Sequence, residues 1–141
     1  MTTDATRIYG FDGDHRFLSN FWWIGDTTTE HLFQASKTED KTERHFVLSA
    51  PTPKEAKERG RTVTLRPDWD TYRIEAMESV LRYKFENVSL RDKLVSTGDA
   101  ELVEANTWGD RYWGVDRASG QGNNMLGRLL MKLREEYKDA D

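Results

Sequence analysis

Apolar positions recur along this chain at helical rather than alternating spacing. Ile74, Met77, Leu81 and Phe85 fall three or four apart, which predicts a long helix over residues 67–86 with one buried stripe. Leu126, Leu129, Leu130 and Leu133 predict a second strongly amphipathic helix at the C-terminus, capped by Asn123 or Asn124. Between residues 27 and 60 the apolar side chains are sparse and the punctuation is polar. Thr27 and Glu30 have the spacing of a capping box and predict a helix to about residue 39. A helix over residues 42–50 ends before Pro51; Pro53 opens another over 54–59, which Gly60 closes. Ser89 can cap a short helix that ends at Gly98. Extended pieces are expected over residues 7–11 and 21–24, around an Asp12-Gly13 turn, and over residues 101–105. The fold class expected is mainly α: one compact domain over residues 1–141, of about five or six helices and little sheet.

Composition narrows the chemistry. There is no cysteine among the 141 residues, which removes thiol catalysis, thiolate metal sites and a disulfide-stapled fold. Three scattered histidines make a zinc site improbable, and no metal or cofactor is expected. The 21 basic and 25 acidic residues leave a net charge of −4, so no broad basic nucleic-acid footprint exists, although a pocket can be locally basic. No apolar run is long enough to span a membrane and residues 1–6 lack the pattern of a signal peptide, so a cytoplasmic location is the default expectation. The five tryptophans stand in or near segments rich in Gly, Asp and Asn, where an indole can fill a core or stack on a base.

Three places could carry chemistry. On the helix after Thr29, at about 100° per residue, Glu30, Gln34 and Lys37 share an arc of about 60°. They are a solvated face or a pocket wall offering carboxylate, amide and ammonium; His31 beside them is expected to be structural. In the second place, Arg61 and Arg66 could hold phosphate with Trp69 stacking on a base, or Asp68 and Asp70 simply favour a helix start. The third is the segment 104–124, where acids, tryptophans and glycines alternate through a loop unusually long for a compact domain. Asn123 and Asn124 would offer free backbone N–H groups to a phosphate there.

Together these places resemble the NADAR family, the YbiA-like N-glycosidases. The matching blocks are Phe17-Leu18-Ser19-Asn20-Phe21, Thr29-Glu30-His31, Gln34-Ala35-Ser36-Lys37, Ala56-Lys57, Gly60-Arg61 and Arg66-Pro67-Asp68-Trp69. Met77, Lys84-Phe85, Leu90 with Leu94-Val95-Ser96-Thr97-Gly98, and Leu102-Val103-Glu104-Ala105-Asn106 follow. The last are Asp110-Arg111-Tyr112-Trp113-Gly114, Gly122-Asn123-Asn124-Met125-Leu126-Gly127, Leu130-Met131 and Arg134. They keep family order over nearly the whole chain. Three departures stand out: Trp22-Trp23 replace small and proline-containing residues, the segment before Glu30 is short, and Asn123-Asn124 doubles a usual single asparagine.

The resemblance implies a mainly α, YbiA-like fold and hydrolysis of a ribose C1–N bond. It implies one of two substrates: ADP-ribosylated guanine in nucleic acid or nucleotides, or a ribosylamino-pyrimidine phosphate intermediate of riboflavin synthesis. A non-catalytic binder of ADP-ribose or NAD-derived nucleotides is the alternative of another class. No membrane and no obligate protein partner is implied. The resemblance makes Glu30, Trp69 and Asp110 catalytic candidates, and Asn20, Lys37 and the turn of Gly122, Asn123 and Asn124 ligand contacts. Glu30 and Asp110 could divide stabilisation of an oxocarbenium-like transition state and activation of water. Trp69 or Trp113 would hold base or ribose, with Gln34 on the same wall, and Arg61 or Arg66 the phosphate. Lys37 could instead attack C1 of an opened ribose and form a Schiff base.

Overall fold

Six α-helices, one 3-10 helix and six strands of two or three residues follow one another in the computed structural model, which describes residues 6–140. About 51 % of the described residues are helical, so the mainly α expectation holds. The strands pair only two by two. The chain divides into two compact units, residues 20–84 and the two flanking stretches together.

The unit of residues 20–84 begins with a hairpin in which β1 (Arg7–Tyr9) takes no part. Its strands are β2 (Trp23–Ile24) and β3 (Thr27–Thr28), antiparallel, with Trp23 opposite Thr28 and Ile24 opposite Thr27. Gly25 at φ 73° opens the two-residue turn, a conformation that favours glycine. Thr27 is thus spent on pairing, and the cap of helix α1 (Thr29–Ala35) moves one residue on. The Thr28 side chain accepts from the backbone N–H of His31 at 3.1 Å. Helix α1 also stops well short of residue 39. The Ser36 hydroxyl turns back onto the Phe33 carbonyl, and Asp40 accepts from the Glu43 N–H to start α2 (Lys41–Leu48) instead. Thr52 caps α3 (Pro53–Gly60), with Pro53 at the first turn where its missing N–H costs nothing. Ala35, Val47, Ala50 and Ala56 form the core among these three helices, with Val63 against it. Small side chains there explain why the sequence shows so thin an apolar stripe. The long helix α4 (Trp69–Lys84) starts two residues after the expected Pro67, and its Met77 and Leu81 are fully buried.

The second unit joins the two ends of the chain. Strand β1 runs parallel to β4 (Glu101–Val103), pairing Ile8 with Leu102. Strands β5 (Ala105–Asn106) and β6 (Val115–Asp116) are also parallel, so residues 101–105 divide between two ribbons. A 3-10 helix, Gly13–Leu18, stands where irregular structure was expected and buries Phe17 and Leu18. Helix α5 (Val88–Ser96) is capped by Asn87 rather than Ser89, because the Asn87 side chain reaches the Leu90 N–H at 3.0 Å. Helix α6 (Met125–Asp139) buries Leu126, Leu129, Leu130 and Leu133 as the periodicity demands. It approaches β4 so closely at Gly127 that a side chain there would overlap the Leu102 carbonyl. Among the described residues no helix is long and apolar enough to cross a membrane.

Candidate active site

Helix α1 presents its polar side chains inward. Asn20 anchors its first turn: the backbone N–H of Glu30 donates to the Asn20 carbonyl at 3.1 Å, and the Thr29 hydroxyl donates to the Asn20 side-chain oxygen at 2.8 Å. The Asn20 amide nitrogen points at the Met77 sulfur, 3.5 Å away on α4. Asn20 therefore holds α1 and α4 together with both ends of its amide. His31 is structural as expected. One ring nitrogen meets the Thr28 hydroxyl at 2.8 Å and the other meets the Ala50 carbonyl at 2.9 Å.

Glu30 is buried, with only 8 % of its surface exposed. Its Oε2 accepts from Gln34 Nε2 at 2.6 Å, a charge-assisted bond across one helical turn. Lys37 lies two residues past the end of α1 and half-buried, yet the turn continues because its N–H donates to the Gln34 carbonyl. Burial lowers the proton affinity of its amine. The Glu30 carboxylate opposes that effect, while the charges of Arg61 and Lys57 reinforce it. The fold thus brings Glu30, Gln34, Lys37 and the α3 terminus with Arg61 together, and it adds Lys57, one turn before Arg61. In the sequence Lys57 stood only within the Ala56-Lys57 block, although its i,i+4 relation to Arg61 was visible.

Arg66 and Trp69 are placed differently from the phosphate clamp and stacking face considered above. The Arg66 guanidinium forks onto both carboxylate oxygens of Asp68, at 2.7 and 3.2 Å, and lies 3.7 Å from the centre of the Tyr72 ring. That pairing holds the Asp68 carboxyl below the usual range. The Arg66 backbone N–H donates to the Lys37 carbonyl at 2.7 Å, tying the stretch before α4 to the end of α1. Trp69 is buried, its ring tilted against Phe33 and Tyr72 at centroid distances of 5.3 and 6.3 Å.

The other unit holds the remaining candidates. Asn106 is buried at the start of the long loop and closes it with one amide. Its nitrogen donates to the Asp110 carbonyl and to Glu104 Oε2, and its oxygen accepts from the Asp110 N–H. Asp110 Oδ1 in turn accepts from the N–H groups of Tyr112 and Trp113, at 3.0 and 2.9 Å. The Trp113 ring stands edge-on to Tyr112, 4.8 Å between centroids. Asn106 and Glu104 thus shape the loop; in the sequence they stood only within the Leu102–Asn106 block, with no role attached.

The start of α6 corrects one expectation. The N–H groups of Asn123, Asn124, Met125 and Leu126 donate to the carbonyls of Arg111, Gly114, Tyr112 and Trp113. They are taken by the loop and are not free for a phosphate. The two asparagines also separate. Asn123 is exposed, whereas Asn124 is buried at φ 52° with its side chain bonded to the Glu104 N–H and the Leu102 carbonyl. Gly122 is held at φ 149°, where a side chain would meet the Gly114 carbonyl and Val115. Among the described residues no three acidic or histidine side chains gather as a metal site would need.

Comparison with known proteins places this arrangement. The chain is 41 % identical over 146 aligned residues to a protein of Escherichia coli (strain K12) named N-glycosidase YbiA, covering 96 % of this chain and 90 % of that one. A Nostoc punctiforme protein named N-glycosidase Npun_R5314 is 39 % identical, over 86 % of this chain and 79 % of its own. A Vibrio vulnificus protein named riboflavin biosynthesis protein VVA0006 is 37 % identical over 94 % of this chain, which spans 38 % of that longer protein. The solved NMR structure of E. coli YbiA superposes with a TM-score of 0.84 at 36 % identity, covering 99 % of this chain and 89 % of that one. With the NADAR domain matched over residues 12–138, the chain belongs to the NADAR family.

Proposed function

We propose that this protein is an N-glycosidase that hydrolyses a ribose C1–N bond and removes ADP-ribose from ADP-ribosylated guanine. The observation that carries the reading is a buried Glu30 carboxylate within electrostatic reach of a half-buried Lys37, whose amine burial pushes toward its neutral form. A binding module that only held phosphates would gain from a lysine kept fully charged in solvent and would lose by placing a carboxylate close to the phosphate. Relatives named N-glycosidases support the reaction class. Lys57 and Arg61 beside Lys37 suit a ligand carrying more than one phosphate.

Cleavage at C1 builds positive charge on the ribose, which the Glu30 carboxylate would stabilise. Two routes then differ at Lys37. In one, water activated by a carboxylate attacks C1 and Lys37 contacts phosphate. In the other, the neutral amine of Lys37 attacks C1 and the base leaves with the C1–N electron pair, taking up a proton. The ring oxygen then opens to give a protonated imine, which water hydrolyses to release the sugar and the amine. Asp110 remains a second carboxylate candidate, since the loop bonds above use only its Oδ1.

The second reading is hydrolysis of a ribosylamino-pyrimidine phosphate, favoured by the V. vulnificus relative's name. Offering ADP-ribosylated guanosine, ADP-ribosylated DNA and the riboflavin intermediate side by side, and measuring the sugar released (ADP-ribose from the first two, the ribose phosphate from the third), separates the two. Release from the riboflavin intermediate alone overturns the guanine assignment. Glu30→Gln should slow turnover at least about a hundredfold; near wild-type turnover refutes its catalytic role. Borohydride added during turnover should leave a sugar adduct on Lys37 in the covalent route, read by mass spectrometry. A clean Lys37 under the same turnover rules that route out.

A further inference from the structure

Gln34 sits between the catalytic candidates, yet it is poorly placed to contact a ligand. It is 5 % exposed, and its Oε1 is fully buried with no hydrogen-bond partner. Its Nε2 is committed to Glu30 Oε2 at 2.6 Å. A carboxylate can accept but not donate, so the nitrogen must face Glu30 and the oxygen must turn the other way. What it meets there is Gly60, the last residue of α3. A Cβ on Gly60 would overlap Oε1 and stand 2.8 Å from Cδ and 2.9 Å from Cβ of Gln34. The Cα–H bond of Gly60 therefore points at the orphan oxygen, a weak contact that only glycine permits. Gly60 is helical and not left-handed, so backbone strain does not explain a glycine at this position. Room for the Gln34 amide does.

From this we infer that Gln34, seated in a notch at Gly60, is a positioning residue that fixes the orientation of the Glu30 carboxylate toward the charge that develops at C1. The inference rests on the catalytic reading of Glu30. A glutamate side chain has three rotatable bonds, and the bond from Gln34 holds one carboxylate oxygen so that the plane of the group is set before substrate arrives. Gln34 acts through Glu30 and need not touch substrate. Its loss should therefore appear in kcat and leave KM nearly alone.

Gln34→Met keeps length and volume and removes the donor. The expected result is a kcat lower by about tenfold or more, with KM changed by less than about threefold. Combined with Glu30→Gln, the same substitution should add no further loss, because the group it orients is gone. Gln34→Asn keeps an amide but withdraws it by one carbon, and should behave like Gln34→Met; it serves as the second probe should one variant fold poorly. Gly60→Ala should lower kcat through displacement of an intact Gln34. Wild-type kcat in a folded Gln34→Met or Gln34→Asn protein, with Glu30→Gln inactive, overturns the positioning role and leaves the catalytic reading standing. An active Glu30→Gln protein removes the catalytic reading itself, so the two failures are told apart.

Discussion

Single residues in this protein reveal their roles through what their polar atoms face. Lys84, which the sequence showed only as part of the Lys84-Phe85 block, is an example: it is 1 % exposed, and burial pushes its ammonium down to about 7 from 10.5. The charged form is the costly one in the fold. The native chain therefore gives up this proton near pH 7, while the unfolded chain keeps it to about 10.5. Between those values the unfolded state binds more protons, so stability rises with pH across that window and the contribution is flat below it. The full window is worth on the order of 5 kcal/mol. Urea unfolding of wild type and Lys84→Met at pH 7 and 9.5 checks this: wild type should gain stability relative to the variant at the higher pH. Parallel pH dependence in the two proteins would show that Lys84 does not carry the effect. That Glu30, Gln34 and Lys37 fall on one side was legible from helical spacing, because a shared arc is a local property; whether that side faces solvent or a pocket was not. That Asn20, His31, Arg66 and Trp69 spend their polar atoms or rings within the protein was not legible, apart from the structural reading of His31. Their partners Met77, Ala50, Asp68 and Phe33 are set by packing.

Elements show the same division between local and distant causes. The α6 stripe and the α3 start followed from periodicity and from Pro53, whereas the caps of α1 and α5 each shifted by one or two residues. In both cases a neighbouring polar residue competed for the same role, Thr28 against Thr27 and Asn87 against Ser89. The start of α6 goes further. Asn124 occupies a left-handed conformation and clamps β4 on both sides, through the Glu104 N–H at 2.9 Å and the Leu102 carbonyl at 2.9 Å. Two substitutions separate backbone from side chain. Asn124→Gly keeps the permitted φ and loses both bonds, with an expected cost of about 2–4 kcal/mol. Asn124→Ala loses the bonds and adds left-handed strain, a further 1 kcal/mol or so. Thermal melts should rank wild type above Asn124→Gly and that above Asn124→Ala. Equal stability of Asn124→Gly and wild type would mean that the two bonds hold nothing.

At the scale of the molecule, the two units differ in how far apart in sequence their contacts lie. Residues 20–84 form one continuous stretch, whose ties range from one helical turn, as in Gln34 to Glu30, to the 57 residues between Asn20 and Met77. The other unit depends on the first and last thirds of the chain meeting. Strand β1 pairs with β4, and the Tyr9 hydroxyl donates to the Arg117 carbonyl across 108 residues. That parallel pairing left no trace in the pattern of residues 7–11 and 101–105 beyond a hint of extended structure, since register between distant strands is a tertiary choice. Closing such a loop costs entropy before any contact rewards it, so non-local pairing forms late. Pulse-labelled hydrogen exchange during refolding should therefore find amides of α1, α3 and α4 protected before those of β1 and β4. The Tyr9→Phe variant sharpens the test: its lost bond should speed unfolding and leave the folding rate nearly unchanged if β1 docks after the rate-limiting step. Protection of β1 and β4 ahead of α1, or a Tyr9→Phe effect confined to the folding rate, would mean that the chain ends meet first.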